Sequence, residues 1–115
     1  MRSFLRSFVC AGTGISALTR DRNFRVQLTG LILVIAAGFF FSITKIEWLI
    51  IAASSSLVLA MEAMNTAIEK LCDLYSKEEN DQIRVIKDIA AGAVLISAVG
   101  TGIVGVVVFY PYLFN

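Results

Sequence analysis

Glu62, Asn65 and Glu69 interrupt an otherwise apolar run, Met-Glu-Ala-Met-Asn-Thr-Ala-Ile-Glu at 61–69. At about 100° per residue, Asn65 lies about 60° and Glu69 about 20° round a helix axis from Glu62, so the three share one narrow face. Asp73 falls about 20° from Glu62 on the same wheel and extends the stripe. The chain has no histidine, which leaves carboxylate, lysine, tyrosine or thiolate as candidate general bases. Carboxylate oxygens suit a hard cation such as Mg²⁺, which binds through one or two carboxylates and takes its remaining ligands from water and substrate phosphates. Lys87 and Asp88 stand at the opening of a later apolar segment, where a cation beside the acidic face could neutralise a phosphate. These residue types together point to phosphate chemistry at a lipid–water boundary. A lone acid near a helix end is usually interfacial, and the grouping of Glu62, Asn65 and Glu69 opposite Lys87 and Asp88 is what favours a site.

The elements that position these residues belong in a membrane. Of 115 residues 57% are hydrophobic and one is proline, well above the apolar content of a soluble domain. Uncharged runs at 26–44, 48–61 and 89–115 predict three transmembrane helices over 26–44, 46–72 and 88–110. Residues 1–24 read as an amphipathic surface helix, with Arg2, Arg6, Thr13 and Arg20 on one side and Phe4, Phe8, Ala11, Ile15 and Leu18 on the other. The fold expected is therefore all-α and integral to the membrane, a single domain over 1–115. Arg2, Arg6, Arg20, Arg22, Arg25, Lys70, Lys77, Arg84 and Lys87 fall on one side and Lys45 on the other. That bias puts the N-terminus in the cytoplasm and the C-terminus outside. Phe39, Phe40, Phe41, Trp48, Phe109, Tyr110, Tyr112 and Phe114 gather at the outer level, as interfacial anchors do. Counted from Trp48, Glu62 lies about 21 Å and Glu69 about 31 Å inward, within reach of water. Three helices enclose little volume, so a polar site is expected between subunits.

Three blocks, D-R-N-F-R at 21–25, E-A-M-N-T-A-I-E at 62–69 and K-D-I-A-A-G-A-V-L-I at 87–96, carry a resemblance to the prokaryotic diacylglycerol kinase family of small integral-membrane lipid kinases, which includes undecaprenol kinases. The resemblance covers nearly the whole chain. It implies ATP- and Mg²⁺-dependent phosphorylation of a membrane lipid hydroxyl, with undecaprenol favoured and diacylglycerol next, in a homotrimer of the bacterial cell membrane. Glu62 matches the family's general base at the lipid hydroxyl, and Asn65 the asparagine beside it. Glu69 matches the carboxylate that holds the divalent cation on the nucleotide. Asp21 stands where the family usually has a Glu for metal and nucleotide, one methylene longer. Lys87 and Asp88 match an ATP-binding pair, and Glu78, Glu79 and Asn80 align with a nucleotide-contacting loop segment that often reads E-Y-H. No nucleic-acid partner is expected.

The alternative from another class is a small transporter using Glu62 as a proton- or cation-coupling carboxylate. Small multidrug carriers usually have four spans with the acid in the first, whereas here three spans carry acids at the inner end of the second. The G-T-G-I-S-A run at 12–17 lacks the last glycine and the preceding strand of a dinucleotide fingerprint, and no Walker A sequence is present. Cys10 and Cys72, with no C-x-x-C spacing, are expected to be free thiols.

Overall fold

A computed structural model describes residues 2–78 and 80–115. Four helices follow one another: α1 (Arg2–Leu18), α2 (Arg22–Phe41), α3 (Lys45–Tyr75) and α4 (Asp81–Phe114). The last three are long and apolar enough to cross a membrane, in line with the three spans expected. They form an up-down-up arrangement in which α4 packs along α3 more extensively than α2 does.

Local chemistry fixes the helix ends, and the largest departures from the sequence expectation are at the end of α1 and the start of α4. The first helix stops at Leu18 because Thr19 Oγ1 donates to Ser16 O at 2.6 Å and the chain turns through residues 19–21. Asp21 then caps α2, its Oδ2 accepting from Phe24 N at 3.2 Å; an Asp at this position satisfies one of the helix's free N–H groups. Asp21 thus belongs to the start of the first span rather than to the body of a surface helix reaching 24. At the other boundary Asn80 caps α4, so the helix starts at Asp81. Lys87 and Asp88, expected to open this span, lie inside it.

The α2–α3 turn is the tightest part of the chain. Ser42 closes α2 in the left-handed region, φ 51°, with its N–H on Gly38 O and Phe39 O. Thr44 and Glu47 then form a capping box at the head of α3, Glu47 N donating to Thr44 Oγ1 at 3.2 Å and Thr44 N to Glu47 Oε1 at 2.9 Å. Tyr112 Oη, from the far end of α4, donates to the same Glu47 oxygen. Around this turn Ile43, Ile51 and Val108 are buried beneath Val34, Phe41, Trp48, Val104, Phe109 and Tyr112. Ring contacts of Phe39 with Trp48 and of Phe41 with Phe109 and Tyr112 close the cluster. Of the aromatics expected at one level, Phe39, Phe41, Trp48, Phe109 and Tyr112 meet there, while Phe40, Tyr110 and Phe114 are exposed.

From that cluster a seam descends. The buried residues of α3 are Ile51, Ser55, Val58, Glu62, Asn65 and Cys72, a four-three-four-three spacing that keeps one face turned toward a neighbouring helix. On α4 the buried residues Ile83, Ala90, Ser97 and Val108 repeat at related intervals. Midway, Thr101 Oγ1 lies 3.1 Å from Ser54 O and 2.9 Å from Ser97 O, tying the two helices through a shared hydroxyl. Both cysteines are free, and Cys72 is buried at the foot of the seam.

Gly38 lets α2 pass the indole of Trp48. A Cβ built there would meet Trp48 ring carbons at 2.5 and 2.8 Å and Ile43 Cδ1 at 3.1 Å. Gly38→Ala is therefore expected to destabilise the fold by about 1–3 kcal/mol through overpacking, read as a lower thermal midpoint in detergent; an unchanged midpoint would show that the indole moves freely.

Candidate functional site

Glu62 and Asn65 continue the seam of α3 below Val58, where the heptad spacing calls for apolar side chains. They are 3% and 6% exposed. Glu62 Oε1 and Asn65 Oδ1 are buried without a hydrogen-bond partner among the described residues. Buried polar atoms are ordinarily satisfied, so two bare acceptors side by side mark a place built for an incoming donor. Both line a cavity of about 320 Å³ bounded by α2, α3 and α4, with Asn23 and Gln27 on its α2 wall and Val94 and Leu95 on its α4 wall. Apolar walls with a carboxylate and amides at one end suit the hydroxyl end of a long apolar molecule.

Glu69, one turn below Asn65, is exposed, and its Oε1 accepts from Asn65 Nδ2 at 3.0 Å. Asn65 thus spans from the buried acid to the exposed one, its amide NH₂ committed to Glu69 and its carbonyl oxygen free. Asp21, half-buried at the head of α2, reaches the same helix: Thr66 Oγ1 donates to its Oδ2 at 3.3 Å. The charges of Asp21 and Glu69 both bear on Glu62. The three carboxylates expected from sequence are therefore neighbours within a single chain, arranged along about two turns of α3.

The cationic half is partly elsewhere. Lys87 Nζ is 2.9 Å from Asp73 Oδ1, an exposed ion pair joining α4 to α3 one turn below Glu69. Asp88 is exposed, on the neighbouring face of α4. Glu78 and Asn80 are occupied locally: Glu78 N donates to Ser76 Oγ at 3.1 Å, and Asn80 Oδ1 accepts from Ile83 N at 2.9 Å. Neither is hydrogen-bonded to Glu62, Asn65, Glu69 or Asp21 among the described residues. Glu79 lies outside the described residues.

Among the described residues no three His, Cys, Asp or Glu side chains converge as a cage for a metal ion. A nucleotide-borne Mg²⁺ does not require one, because phosphate and water oxygens supply most of its ligands. Asp21 and Glu69 each engage one carboxylate oxygen with protein donors and keep the other without a protein partner among the described residues. One oxygen anchored and one open, on two adjacent acids, fits such an ion.

Three polar residues at this site were not singled out by sequence reasoning: Asn23, Gln27 and Thr66. Asn23 and Gln27 sit a turn apart on α2, and the signal that could have found them is the D-R-N-F-R block followed by a polar residue in an apolar span. Thr66 lies between Asn65 and Ala67 and reads as an ordinary helix residue until Asp21 is placed beside it.

Comparison with known proteins identifies the family. Residues 9–109 match the family model for prokaryotic diacylglycerol kinase. The chain is 37% identical over 114 residues to the undecaprenol kinase of Bacillus subtilis, covering 98% of this chain and 93% of that protein. It is 35% identical over 115 residues to a diacylglycerol kinase of Synechocystis, covering 98% of this chain and 66% of that protein. A diacylglycerol kinase of Haemophilus influenzae is 31% identical over 96 residues, covering 83% and 81% of the two chains. These likenesses favour the kinase reading over the transporter. With three helices able to cross a membrane, the chain belongs to the prokaryotic diacylglycerol kinase family of membrane proteins, and it is a lipid kinase.

Proposed function

We propose that the protein transfers the γ-phosphoryl group of ATP to the hydroxyl of a membrane lipid, with Glu62 as general base. The observation that carries this is the pair of buried, unpartnered oxygens of Glu62 and Asn65 facing one cavity. In the transfer the lipid oxygen bonds to the γ-phosphorus, its proton passes to the Glu62 carboxylate, and the bond from the γ-phosphorus to the bridging oxygen breaks, with ADP leaving. Asn65, on the same wall as Glu62, steadies Glu69 with its amide NH₂.

Asp21 and Glu69 hold the nucleotide's Mg²⁺, which when bound neutralises charge on the phosphates. Lys87 pairs with nucleotide phosphate and Asp88 with the nucleotide, which Glu78, Glu79 and Asn80 also contact. Lys87 can do so cheaply, since its bond to Asp73 is solvent-exposed and an exposed pair is worth at most about 1 kcal/mol. Phosphoryl transfer asks little covalent help of the protein, so most of the work is positioning.

In this reading α1 lies in the cytoplasmic interface of the bacterial cell membrane, the N-terminus is cytoplasmic and the C-terminus outside. ATP arrives from the cytoplasm and the lipid from the side. The working unit is a homotrimer, in which the small residues Ala93, Gly100 and Gly105 of α4 allow close helix approach. The lipid is undecaprenol rather than diacylglycerol, supported by the likeness to an undecaprenol kinase over almost the whole of both chains.

Labelled-phosphate transfer from MgATP by the purified protein tests the reading, and absence of transfer to both lipids in a folded sample would sink it. Glu62→Gln is expected to lower kcat by about 10²–10⁴, the usual worth of a general base; near wild-type turnover would remove Glu62 from that role. Glu69→Gln is expected to raise the Mg²⁺ concentration for half-maximal rate by about ten-fold, as loss of a charged ligand does. An unshifted Mg²⁺ curve would assign the metal elsewhere. With both lipids presented in the same micelles, kcat/KM should be higher for undecaprenol, and the reverse order would assign diacylglycerol.

A further inference from the structure

Three successive serines on α3 use their hydroxyls differently. Ser54 Oγ donates to Ile51 O at 3.2 Å and Ser56 Oγ to Ala53 O at 3.0 Å, the usual way a helix absorbs a serine in apolar surroundings. Ser55, between them, is 8% exposed on the buried face of α3, and its hydroxyl has no hydrogen bond among the described residues. It borders a cavity of about 100 Å³ between α2, α3 and α4, about 10 Å deeper into the membrane than Glu62. The other polar residues of this chamber are Gln27 and Thr101; the rest of its lining is apolar and none of it is charged. Gln27 and Ala98 line both this chamber and the cavity of Glu62.

Size and lining select the occupant. At roughly 30 Å³ each the chamber has room for up to about three waters. A wholly apolar cavity stays dry, whereas one lined by unsatisfied polar groups holds water. A hard cation asks for carboxylates, and the lining has none. Each polar group has a defined capacity. Ser55 has a proton to donate. Thr101 has its one proton committed to backbone carbonyls, 3.1 Å from Ser54 O and 2.9 Å from Ser97 O, and keeps its oxygen as an acceptor. Gln27 brings a carbonyl oxygen and an NH₂.

We propose that this chamber is a structural water site within the membrane span, and that its water sets the orientation of Gln27 toward Glu62. The water accepts from Ser55 Oγ and donates to Thr101 Oγ1 and to the Gln27 carbonyl oxygen, the three bonds usual for a buried water. With its carbonyl held in the chamber, Gln27 turns its NH₂ to the cavity it shares with Glu62. That polarity matches the other side, where Glu62 Oε1 and Asn65 Oδ1 are acceptors without a partner among the described residues. Every donor in the series Ser55, water, Gln27 then points toward the carboxylate. A neutral amide supports the carboxylate without neutralising it, so Glu62 remains able to take a proton. Gln27 is thus a positioning residue. Its effect on transfer rests on the kinase reading; the water site does not.

Solid-state NMR of the full-length protein in bilayers, with magnetisation transferred from water to side chains, tests the site without turnover. Ser55 and Thr101 should receive water magnetisation, and Ser56, on the exposed face of the same helix, should not. Ser55→Thr and Ser55→Val have equal volume and differ only in the hydroxyl, so a packing effect acts on both alike. Transfer to Thr101 should persist in Ser55→Thr and be lost in Ser55→Val. In the kinase assay kcat should be about ten-fold lower for Ser55→Val than for Ser55→Thr, the worth of one hydrogen bond, with KM for MgATP within about two-fold. Gln27→Leu should lower kcat similarly, and adding Ser55→Val to it should change kcat by less than about two-fold, because the two act in series. Absence of water at Ser55 in the wild-type protein, which needs no variant to fold, would overturn the site, as would equal transfer to Thr101 in the two Ser55 variants. Equal kcat in those variants, or fully multiplicative losses, would overturn the positioning role. If water reaches Ser55 and Thr101 in a protein that transfers no phosphate, the kinase reading fails and the water site stands.

Discussion

The rest of the structure is arranged around a carboxylate in an apolar seam. Glu62 occupies a position on α3 where the spacing of Ile51, Ser55 and Val58 calls for another small or apolar side chain. Burying a charge without a partner is costly, so the surrounding helices must be held by something other than packing at that level. The aromatic and aliphatic cluster at the opposite end supplies it, with Ile43, Ile51 and Val108 closed beneath Phe41, Trp48 and Tyr112. Tyr112 and the Thr44–Glu47 capping box lock the α2–α3 turn to the end of α4. The molecule is firm at one end so that it can be open at the other.

Asp21 shows how one side chain serves both fold and site. As the cap of α2 it fixes where that helix begins, and through Thr66 it fixes where the helix stands against α3. A Glu would reach one methylene further but caps a helix less well, since the short Asp side chain is the one that folds back onto the N–H groups two and three residues on. The shorter residue therefore gives up reach and gains rigidity. Its carboxylate is held by Phe24 N and Thr66 Oγ1 rather than carried on a flexible arm.

Much of this was legible in the sequence because membrane helices impose strong patterns. Uncharged runs gave the three spans, and the common face of Glu62, Asn65 and Glu69 survives as two buried residues and one exposed residue hydrogen-bonded to its neighbour. Helix ends were less legible, since capping depends on single residues: Thr19 and Asp21 stop and restart the chain where a periodicity argument runs on to 24, and Asn80 begins α4 a turn and more before Lys87. Glu47 was not singled out, because a T-x-x-E capping box is a short local signal within an apolar stretch. The partners of the acids were least legible of all. Nothing in the spacing says that Lys87 meets Asp73 rather than Glu69, because that depends on how far α4 is shifted along α3, a quantity set by the small Ala90 and Ser97 and by the Thr101 hydroxyl. The expectation that a polar site needs a second subunit also meets a counterweight, since one chain by itself brings Asp21, Glu62, Asn65 and Glu69 together.

The three acids of α3 below Val58 have partners graded by their depth. Glu62, the most buried, has an oxygen with none; Glu69, a little under two turns below, is held by the neutral amide of Asn65; Asp73, exposed, is held by the ammonium of Lys87. Solvent explains the lower end of this series, because water can support a carboxylate there and its ion pair is correspondingly weak. It does not explain the upper end, where the least hydrated group has the least support. A stripe selected only to be stable would run the other way, with the strongest partner at the deepest acid. The inversion leaves the greatest demand for a donor at Glu62 and the most readily exchanged cation at Lys87, which is the arrangement the proposed transfer asks for.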